Sequence, residues 1–261
     1  MSQESQSAGV RRRRRRLREL KEHRMERRMH SDHIFHYNVH WRIISYLMDK
    51  STKAPLVVHG IRGSGNSILA MSEQLSKILL AKTPMLVLRF LGTAVENSSV
   101  LPLLQSLVQQ LSMLGNQSPR TGLTVELLKV QLNLLLKHGT AECPLVVILD
   151  SLDQLDTSHN GRYLMWLPAS LPPHCKIIVS SLPEEKYETF PALKKLFPDE
   201  DRYIQVPELD QRDAHSIVAS WAQKWNRTLT QTQMELLLTT FRKCPTPLFL
   251  KLSAVQTVRA C

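Results

Sequence analysis

A glycine-rich loop between an apolar run and a helical pattern limits the fold of this chain more than any other feature. The apolar run Leu56–His59 is followed at residues 60–67 by the sequence Gly-Ile-Arg-Gly-Ser-Gly-Asn-Ser. Glycines allow a tight turn and a close backbone approach, and the start of the next helix adds unpaired N–H groups. This order of strand, loop and helix is typical of a phosphate-binding loop.

The loop departs from the frame G-x-x-x-x-G-K-[ST] at one position, where Asn66 replaces the lysine. An amide carries no charge, and a charge-assisted hydrogen bond contributes about 1.5–3 kcal/mol. Its loss predicts triphosphate binding that is roughly 10- to 150-fold weaker, with hydrolysis impaired at least as much. Arg62, inside the loop, is an alternative source of positive charge. Ser67 would offer its hydroxyl to magnesium. The residues predicted to bind the phosphates are Gly60, Gly63, Ser64, Gly65, Asn66 and Ser67.

A second candidate element lies about ninety residues further on, where an apolar run at residues 144–149 ends in Asp150. The carboxyl end of a buried parallel strand opens on the crevice where α/β sheets bind ligands. Asp150 is therefore a candidate magnesium ligand, and Asp153 a candidate catalytic residue that orients or deprotonates the attacking water. Ser180, at the end of another apolar run, is a candidate contact to the γ-phosphate or to that water. The alternative for Asp150 is a simple capping aspartate.

Five short apolar runs alternate with helical patterns, which predicts a parallel α/β sheet between two helix layers. The predicted strands span residues 56–59, 85–91, 144–150, 176–181 and 203–206. From Asp210 onward only helical patterns follow. We divide the chain into a basic tail (residues 1–30), an α/β core (31–207) and a small helical subdomain that would act as a lid (208–261).

Local signals predict where several helices begin and end. Thr124 and Asp210 are expected N-caps, and Thr230 with Gln233 forms a capping box. A helix is expected to begin at residues 183–185, and others at residues 41–47, 68–81 and 101–114. The segment Pro245-Thr246-Pro247 separates the last two helical patterns.

Composition restricts the class of protein. The chain has 261 residues, of which 43% are hydrophobic, which is enough for a substantial core. It contains no apolar run of membrane-spanning length, and its basic N-terminus lacks the apolar stretch of a secretory signal. The four cysteines are widely spaced. These features predict a cytoplasmic protein with reduced thiols and no membrane contact.

The net charge of +11 is concentrated at the N-terminus, where residues 1–30 hold eleven basic and four acidic residues and so carry +7. An unbroken arginine run extends from Arg11 to Arg16. It can serve as a nuclear import signal, contact RNA or an acidic surface, or remain a solvated tail. Residues 17–29 fit a charged helix.

A group of histidines follows the basic segment, at His30, His33, His36 and His40. The last three would share one face of a helix, so a metal site is conceivable. The alternative is an ordinary surface or half-buried helix face, which we favour because no cysteine or suitably placed carboxylate joins them.

Several motifs together resemble the NACHT-type NTPases, and in particular the NACHT and WD-repeat proteins. The resemblance covers residues 35–258 and rests on the loop region 55–60 and on four further segments: Arg89-Phe90-Leu91-Gly92-Thr93, Asp150-Ser151-Leu152-Asp153-Gln154-Leu155, residues 179–183, and Cys244-Pro245-Thr246-Pro247-Leu248. It implies a three-layer P-loop NTPase fold with ATP or ADP and Mg²⁺ as ligands. Pro247 would pack near the adenine.

The resemblance also implies a signalling NTPase of the STAND type, in which nucleotide exchange switches a closed monomer to an open assembly. Protein partners and self-association are therefore expected. The chain ends just after the proline motif without winged helix or repeats, so we expect an isolated core or a shortened product. Two alternatives stay open: a pseudo-NTPase that acts only as an interaction scaffold, and a basic-tail protein that acts in the nucleus or on RNA.

Overall fold

The five predicted strands form one parallel sheet. The computed structural model describes residues 37–61, 84–93, 97–118, 122, 124–183 and 188–259, and all structural statements below refer to them. The strands are β1 (Leu56–His59), β2 (Met85–Phe90), β3 (Leu145–Asp150), β4 (Cys175–Ser181) and β5 (Tyr203–Gln205). Their order in the sheet is β2-β3-β4-β1-β5, and each neighbouring pair is parallel.

This strand order determines what lies beside the glycine loop. Because all the strands are parallel, their carboxyl ends meet at one edge of the sheet, which we call the carboxyl edge. β4 lies between β1, which leads into the glycine loop, and β3, which ends at Asp150. Two strand spacings, about 10 Å, therefore separate the ends of β1 and β3.

Helices cover both faces of the sheet, which confirms the predicted three-layer architecture. The α-helices in the described ranges are α1 (Tyr37–Met48), α2 (Val100–Leu114), α3 (Val125–Leu135), α4 (Thr189–Leu196), α5 (Gln211–Lys224), α6 (Gln231–Phe241) and α7 (Pro247–Arg259). On one face, Val57, Val147 and Val179 pack in a cluster with residues of α2, α3 and α4. On the other, Val58 and Ile148 pack with residues of α1. Alternate residues of each strand thus serve opposite faces.

Helix α1 is longer than the predicted segment, and its buried side chains lie on one face of the helix. Val39, Ile43 and Tyr46 lie in the core, whereas Trp41 is 68% exposed. The hydroxyl of Tyr46 lies 3.0 Å from the carbonyl oxygen of Ile177 in β4. Trp41 therefore lies outside the buried stripe, although it is the largest apolar residue of the helix.

Most of the predicted helix boundaries are confirmed. The Thr124 hydroxyl accepts a hydrogen bond from the N–H of Leu127, and α3 begins at the next residue. The helix expected from residues 183–185 is instead described from Thr189, and residues 184–187 lie outside the described ranges. The helices expected at residues 17–29 and 68–81 also lie outside them.

The C-terminal helices α5, α6 and α7 share an apolar cluster of their own. Trp221, Phe241 and Leu250 are buried in it. Asp210 caps α5, and Thr230 and Gln233 form the predicted capping box of α6. Residues 242–246 separate α6 from α7, so the predicted break at residues 245–247 is confirmed except that Pro247 already begins α7. The helical segment is confirmed, whereas the domain boundaries at residues 30 and 207 stay predictions.

The expectations about a histidine metal site and about membrane-spanning segments can be compared with the structure only in the described ranges. Of the four histidines, only His40 is described; it lies in α1, and burial lowers its pKa. Within the described ranges, no group of three or more His, Cys, Asp or Glu residues is arranged to hold a metal ion. None of the helices described is both long and apolar enough to span a bilayer.

Candidate functional site

The candidate site lies at the carboxyl edge, where β3 ends in an acidic turn. Asp150 is the last residue of β3 and is paired with Phe90, the last residue of β2. The preceding residues of β3 are all buried, so the strand is fixed and its final carboxylate has a defined position. The sequence predicted this placement from the apolar run alone.

The carboxylate of Asp150 is held by a serine of the neighbouring strand. The Ser180 hydroxyl donates a hydrogen bond to Asp150 Oδ1 at 2.5 Å, and it accepts one from the N–H of Ser151 at 2.7 Å. Ser180 itself is only 2% exposed. The structure thus brings together two of the predicted site residues, Asp150 and Ser180, in direct contact.

Burial raises the pKa of Asp150 to about 6, since an ionised carboxylate is poorly solvated there. The hydrogen bond from Ser180 opposes this shift, and the nearby charge of Asp153 adds to it. At neutral pH the carboxylate is still mostly ionised, as a ligand of a divalent cation must be.

Ser151 turns the chain away from the strand in a left-handed backbone conformation. Its φ is 65° and its ψ is 56°, which is uncommon for a residue other than glycine. This turn was not predicted from the sequence, although a small polar residue directly after an acidic strand end is a signal for it. The N–H of Ser151 contributes to the site through its bond to Ser180.

Asp153 lies in the short 3₁₀ turn Leu152–Gln154 and is 4% exposed. Its Oδ1 accepts a hydrogen bond from the N–H of Leu182 at 3.0 Å, and its Oδ2 accepts one from Gln154 Nε2 at 2.5 Å. The catalytic role of Asp153 stays a prediction. Both oxygens accept one hydrogen bond from the protein, and the buried carboxylate has little surface open to a water.

Gly92 allows the end of β2 to approach the acidic turn. Its φ is +76°, and a Cβ at this position would lie 2.7 Å from Cβ of Gln154. The N–H of Leu91 donates a hydrogen bond to the carbonyl oxygen of Asp150 at 3.0 Å. The ends of β2, β3 and β4 therefore form one connected unit around the turn at residues 150–154, which we call the acidic turn.

The glycine loop begins at the end of β1, beside this unit. The carbonyl oxygen of His59 accepts a hydrogen bond from the N–H of Val206 at 2.7 Å, and Gly60 follows directly. The imidazole of His59 packs 4.9 Å from the ring of Phe190, and burial together with Lys194 lowers its pKa. Gly63, Ser64, Gly65, Asn66 and Ser67 lie outside the described ranges, so their assignments stay predictions.

Pro247, the residue expected near an adenine, is the first residue of α7 and is buried. Its backbone position follows the loop that joins α6 to α7, in the helical segment. Its role in binding a base stays a prediction.

Comparison with curated proteins identifies relatives over most of the chain. The chain is 32% identical over 211 residues to mouse NACHT and WD repeat domain-containing protein 2. This match covers 76% of the chain and 12% of that protein. This chain is a homologue of the NACHT and WD repeat domain-containing proteins. Human NACHT domain- and WD repeat-containing protein 1 is 29% identical over 213 residues, with coverages of 78% and 13%. The chain thus spans about an eighth of these relatives, and no family model matches it.

Solved structures share the fold of this chain at low sequence identity. The Aeropyrum pernix ORC1 protein, solved in complex with DNA, has a TM-score of 0.58 and 14% identity, with 85% of this chain and 59% of that chain covered. The Walker-type ATPase PABY2304 of Pyrococcus abyssi has a TM-score of 0.52 and 14% identity, with 87% and 72% covered. The predicted P-loop NTPase fold and the predicted kinship are both confirmed.

Proposed function

We propose that this chain is a NACHT-like module that binds ATP or ADP with Mg²⁺ and hydrolyses ATP weakly or not at all. The observation that carries the proposal is the position of Asp150. Its carboxylate ends a buried strand at the carboxyl edge and is oriented by Ser180. Only β4 lies between this strand and β1, which leads into the glycine loop. Kinship with the NACHT and WD repeat domain-containing proteins supports the same conclusion.

The residues at the edge suit magnesium. Mg²⁺ prefers oxygen ligands and commonly binds through one or two carboxylates together with phosphate oxygens and waters. Asp150 provides such a carboxylate, and Ser67 would provide a hydroxyl from the glycine loop. A bound magnesium ion neutralises charge on the phosphates.

Two features of the chain support weak hydrolysis. Asn66 supplies no positive charge where the loop frame has lysine. Asp153 is 4% exposed and accepts hydrogen bonds from Leu182 and Gln154, so little of its carboxylate is open to an attacking water. The proposed module therefore binds the nucleotide but hydrolyses it weakly or not at all.

A binding titration with fluorescent ATP, ADP and GTP tests the proposal. We expect weak Mg²⁺-dependent binding by the wild-type chain and roughly 10- to 150-fold tighter ATP binding by Asn66→Lys, which restores the charge-assisted bond. Arg62→Ala removes the positive charge that the wild-type loop already has, so it tests whether Arg62 takes the place of the missing lysine. If neither the wild type nor Asn66→Lys binds any of the three nucleotides, the proposal is wrong.

The second candidate function is an interaction scaffold that has lost its nucleotide, a pseudo-NTPase. The absence of a lysine at position 66 and the engaged carboxylate of Asp153 favour it. A ligand that binds only the folded state raises the melting temperature, so a thermal shift with Mg–ATP separates the two candidates. In either case we propose protein partners, self-association and a role in signalling of the STAND type.

The third candidate, action in the nucleus or on RNA, rests on the arginine run from Arg11 to Arg16, which lies outside the described ranges. The alternative to a nuclear location is a cytoplasmic one, which we also propose. Deleting residues 11–16 and measuring RNA binding at several salt concentrations tests the nucleic-acid role, since phosphate contacts weaken steeply with salt.

A further inference from the structure

We propose that Ser180 is a positioning residue, which holds the Asp150 carboxylate in the orientation that meets magnesium and does not itself contact the phosphates. This inference rests on the proposed nucleotide-binding function. It gives Ser180 a different task from the direct contact to a γ-phosphate or water that the sequence suggested.

The only proton of the Ser180 hydroxyl is already used within the protein. A serine hydroxyl has one proton to donate. In the structure that proton is donated to Asp150 Oδ1 at 2.5 Å, while the hydroxyl oxygen accepts the N–H of Ser151 at 2.7 Å. The oxygens of an ionised phosphate only accept hydrogen bonds, so a direct contact from Ser180 would require its bond to Asp150 to break.

Ser180 also stabilises the turn and the carboxylate together. Ser151 adopts a left-handed conformation with φ 65°, which has an energetic cost for a residue with a side chain. The bond from its N–H to Ser180 offsets part of this cost and fixes the backbone directly after Asp150. Because Ser180 is 2% exposed and lies within β4, its own position is determined by the sheet.

The chain contains a matched control at the next position. Ser181 is also 2% exposed, but its hydroxyl donates to the carbonyl oxygen of Leu182 at 3.1 Å. Successive residues of a strand point to opposite faces, so Ser181 lies on the face of the sheet opposite to Ser180. Ser181→Ala therefore removes the same oxygen atom from the same strand without removing a bond to Asp150.

The experiment measures the affinity for fluorescent ATP and ADP with Mg²⁺ and with EDTA, in wild type, Ser180→Ala and Ser181→Ala. Partners that orient a metal ligand typically contribute 10- to 100-fold to metal affinity. We expect Ser180→Ala to lose about 10-fold of the Mg²⁺-dependent affinity for both nucleotides and to keep the affinity measured in EDTA. Ser181→Ala should match the wild type, and Ser180→Thr, which keeps the hydroxyl, should restore most of the loss.

An electron paramagnetic resonance titration with Mn²⁺ in the presence of ADP gives a direct reading of the metal. We expect Ser180→Ala to leave more free Mn²⁺ than Ser181→Ala at equal concentrations. If Ser180→Ala does not fold, Ser180→Cys replaces it, because a thiol is a weak donor of similar shape and should show a partial loss.

The outcomes separate the inference from the function on which it rests. If Ser180→Ala loses affinity for ATP but not for ADP, Ser180 contacts the γ-phosphate directly and the positioning role is wrong. The positioning role is also wrong if the wild type binds nucleotide and Ser180→Ala shows the same Mg²⁺ dependence as the wild type. A wild type that binds no nucleotide overturns the proposed function and the inference together.

Discussion

At the carboxyl edge of the sheet, hydrogen bonds join residues far apart in sequence, whereas the C-terminal helices are fixed by local caps and an apolar cluster. Asp150 and Ser180 are 30 residues apart, and Asp153 and Leu182 are 29 apart. The capping bond of Asp210, by contrast, spans three residues. The acidic turn therefore forms only when β3 and β4 have paired, while the helix starts can form from neighbouring residues.

The greatest loss of stability is expected from a substitution in the helical segment. Phe241 is 2% exposed in the cluster of α5, α6 and α7, so Phe241→Ala should cost about 3–5 kcal/mol. Hydrogen exchange should show loss of protection in these helices and little change in β3 and β4. Phe249→Ala, at a partly buried position against the same cluster, should cost less. Equal loss of protection in the sheet would show that the two regions unfold as one unit.

At the carboxyl edge, stability should depend on pH through Asp150. Its pKa is raised from 3.8 to about 6, so the folded protein holds this proton more tightly than the unfolded chain does. The stability from this group is present below about pH 4 and is lost as the pH rises through 6, by roughly 3 kcal/mol at most. Asp150→Asn, which stays neutral, should gain that amount relative to wild type between pH 4 and 8.

Urea denaturation at several pH values, in EDTA, measures this difference. Asp201→Asn, at an exposed position in the turn before β5, should give a curve parallel to that of the wild type. A constant difference between Asp150→Asn and wild type across the pH range would contradict the raised pKa of Asp150.

A smaller loss is expected from Asp153→Asn. The new amide group must direct its NH₂ at the N–H of Leu182 or at Gln154 Nε2, and both are donors. An unsatisfied buried group costs about 1–3 kcal/mol, which chemical denaturation can measure. Asp156→Asn is the control, because Asp156 accepts its bonds from Ser158 through Oδ1, which asparagine keeps. Equal losses of stability in the two variants would show that the hydrogen bonds of Asp153 to Leu182 and Gln154 do not require a carboxylate.

The smallest effect is expected at a local cap. Thr230 accepts a hydrogen bond from the N–H of Gln233, whose side chain bonds back to the N–H of Thr230. Thr230→Ala should cost about 1 kcal/mol and should leave the sheet unaffected. Thr239→Ala, at an exposed position of the same helix, should change stability little. If Thr230→Ala lowered the free energy of unfolding more than Asp153→Asn does, the local cap would matter more than the long-range bonds at the carboxyl edge.

Local patterns in the sequence were enough to predict the five strands and their parallel arrangement, the caps at Thr124, Asp210 and Thr230, and the position of Asp150 at a strand end. These follow from apolar runs, alternation with helices and side chains that bond within three residues. The exposure of Trp41 could not be predicted, because composition does not determine which stripe of α1 faces the sheet.

The tertiary structure alone decided what the side chains at the carboxyl edge do. The contact of Ser180 with Asp150, the burial of Asp153 against Leu182, and the close approach of Gly92 to Gln154 all join segments that are distant in sequence. Each depends on the order β2-β3-β4, which no local pattern specifies. Hydrogen bonds act only within about 3 Å, so their partners are defined only after the strands have been placed side by side.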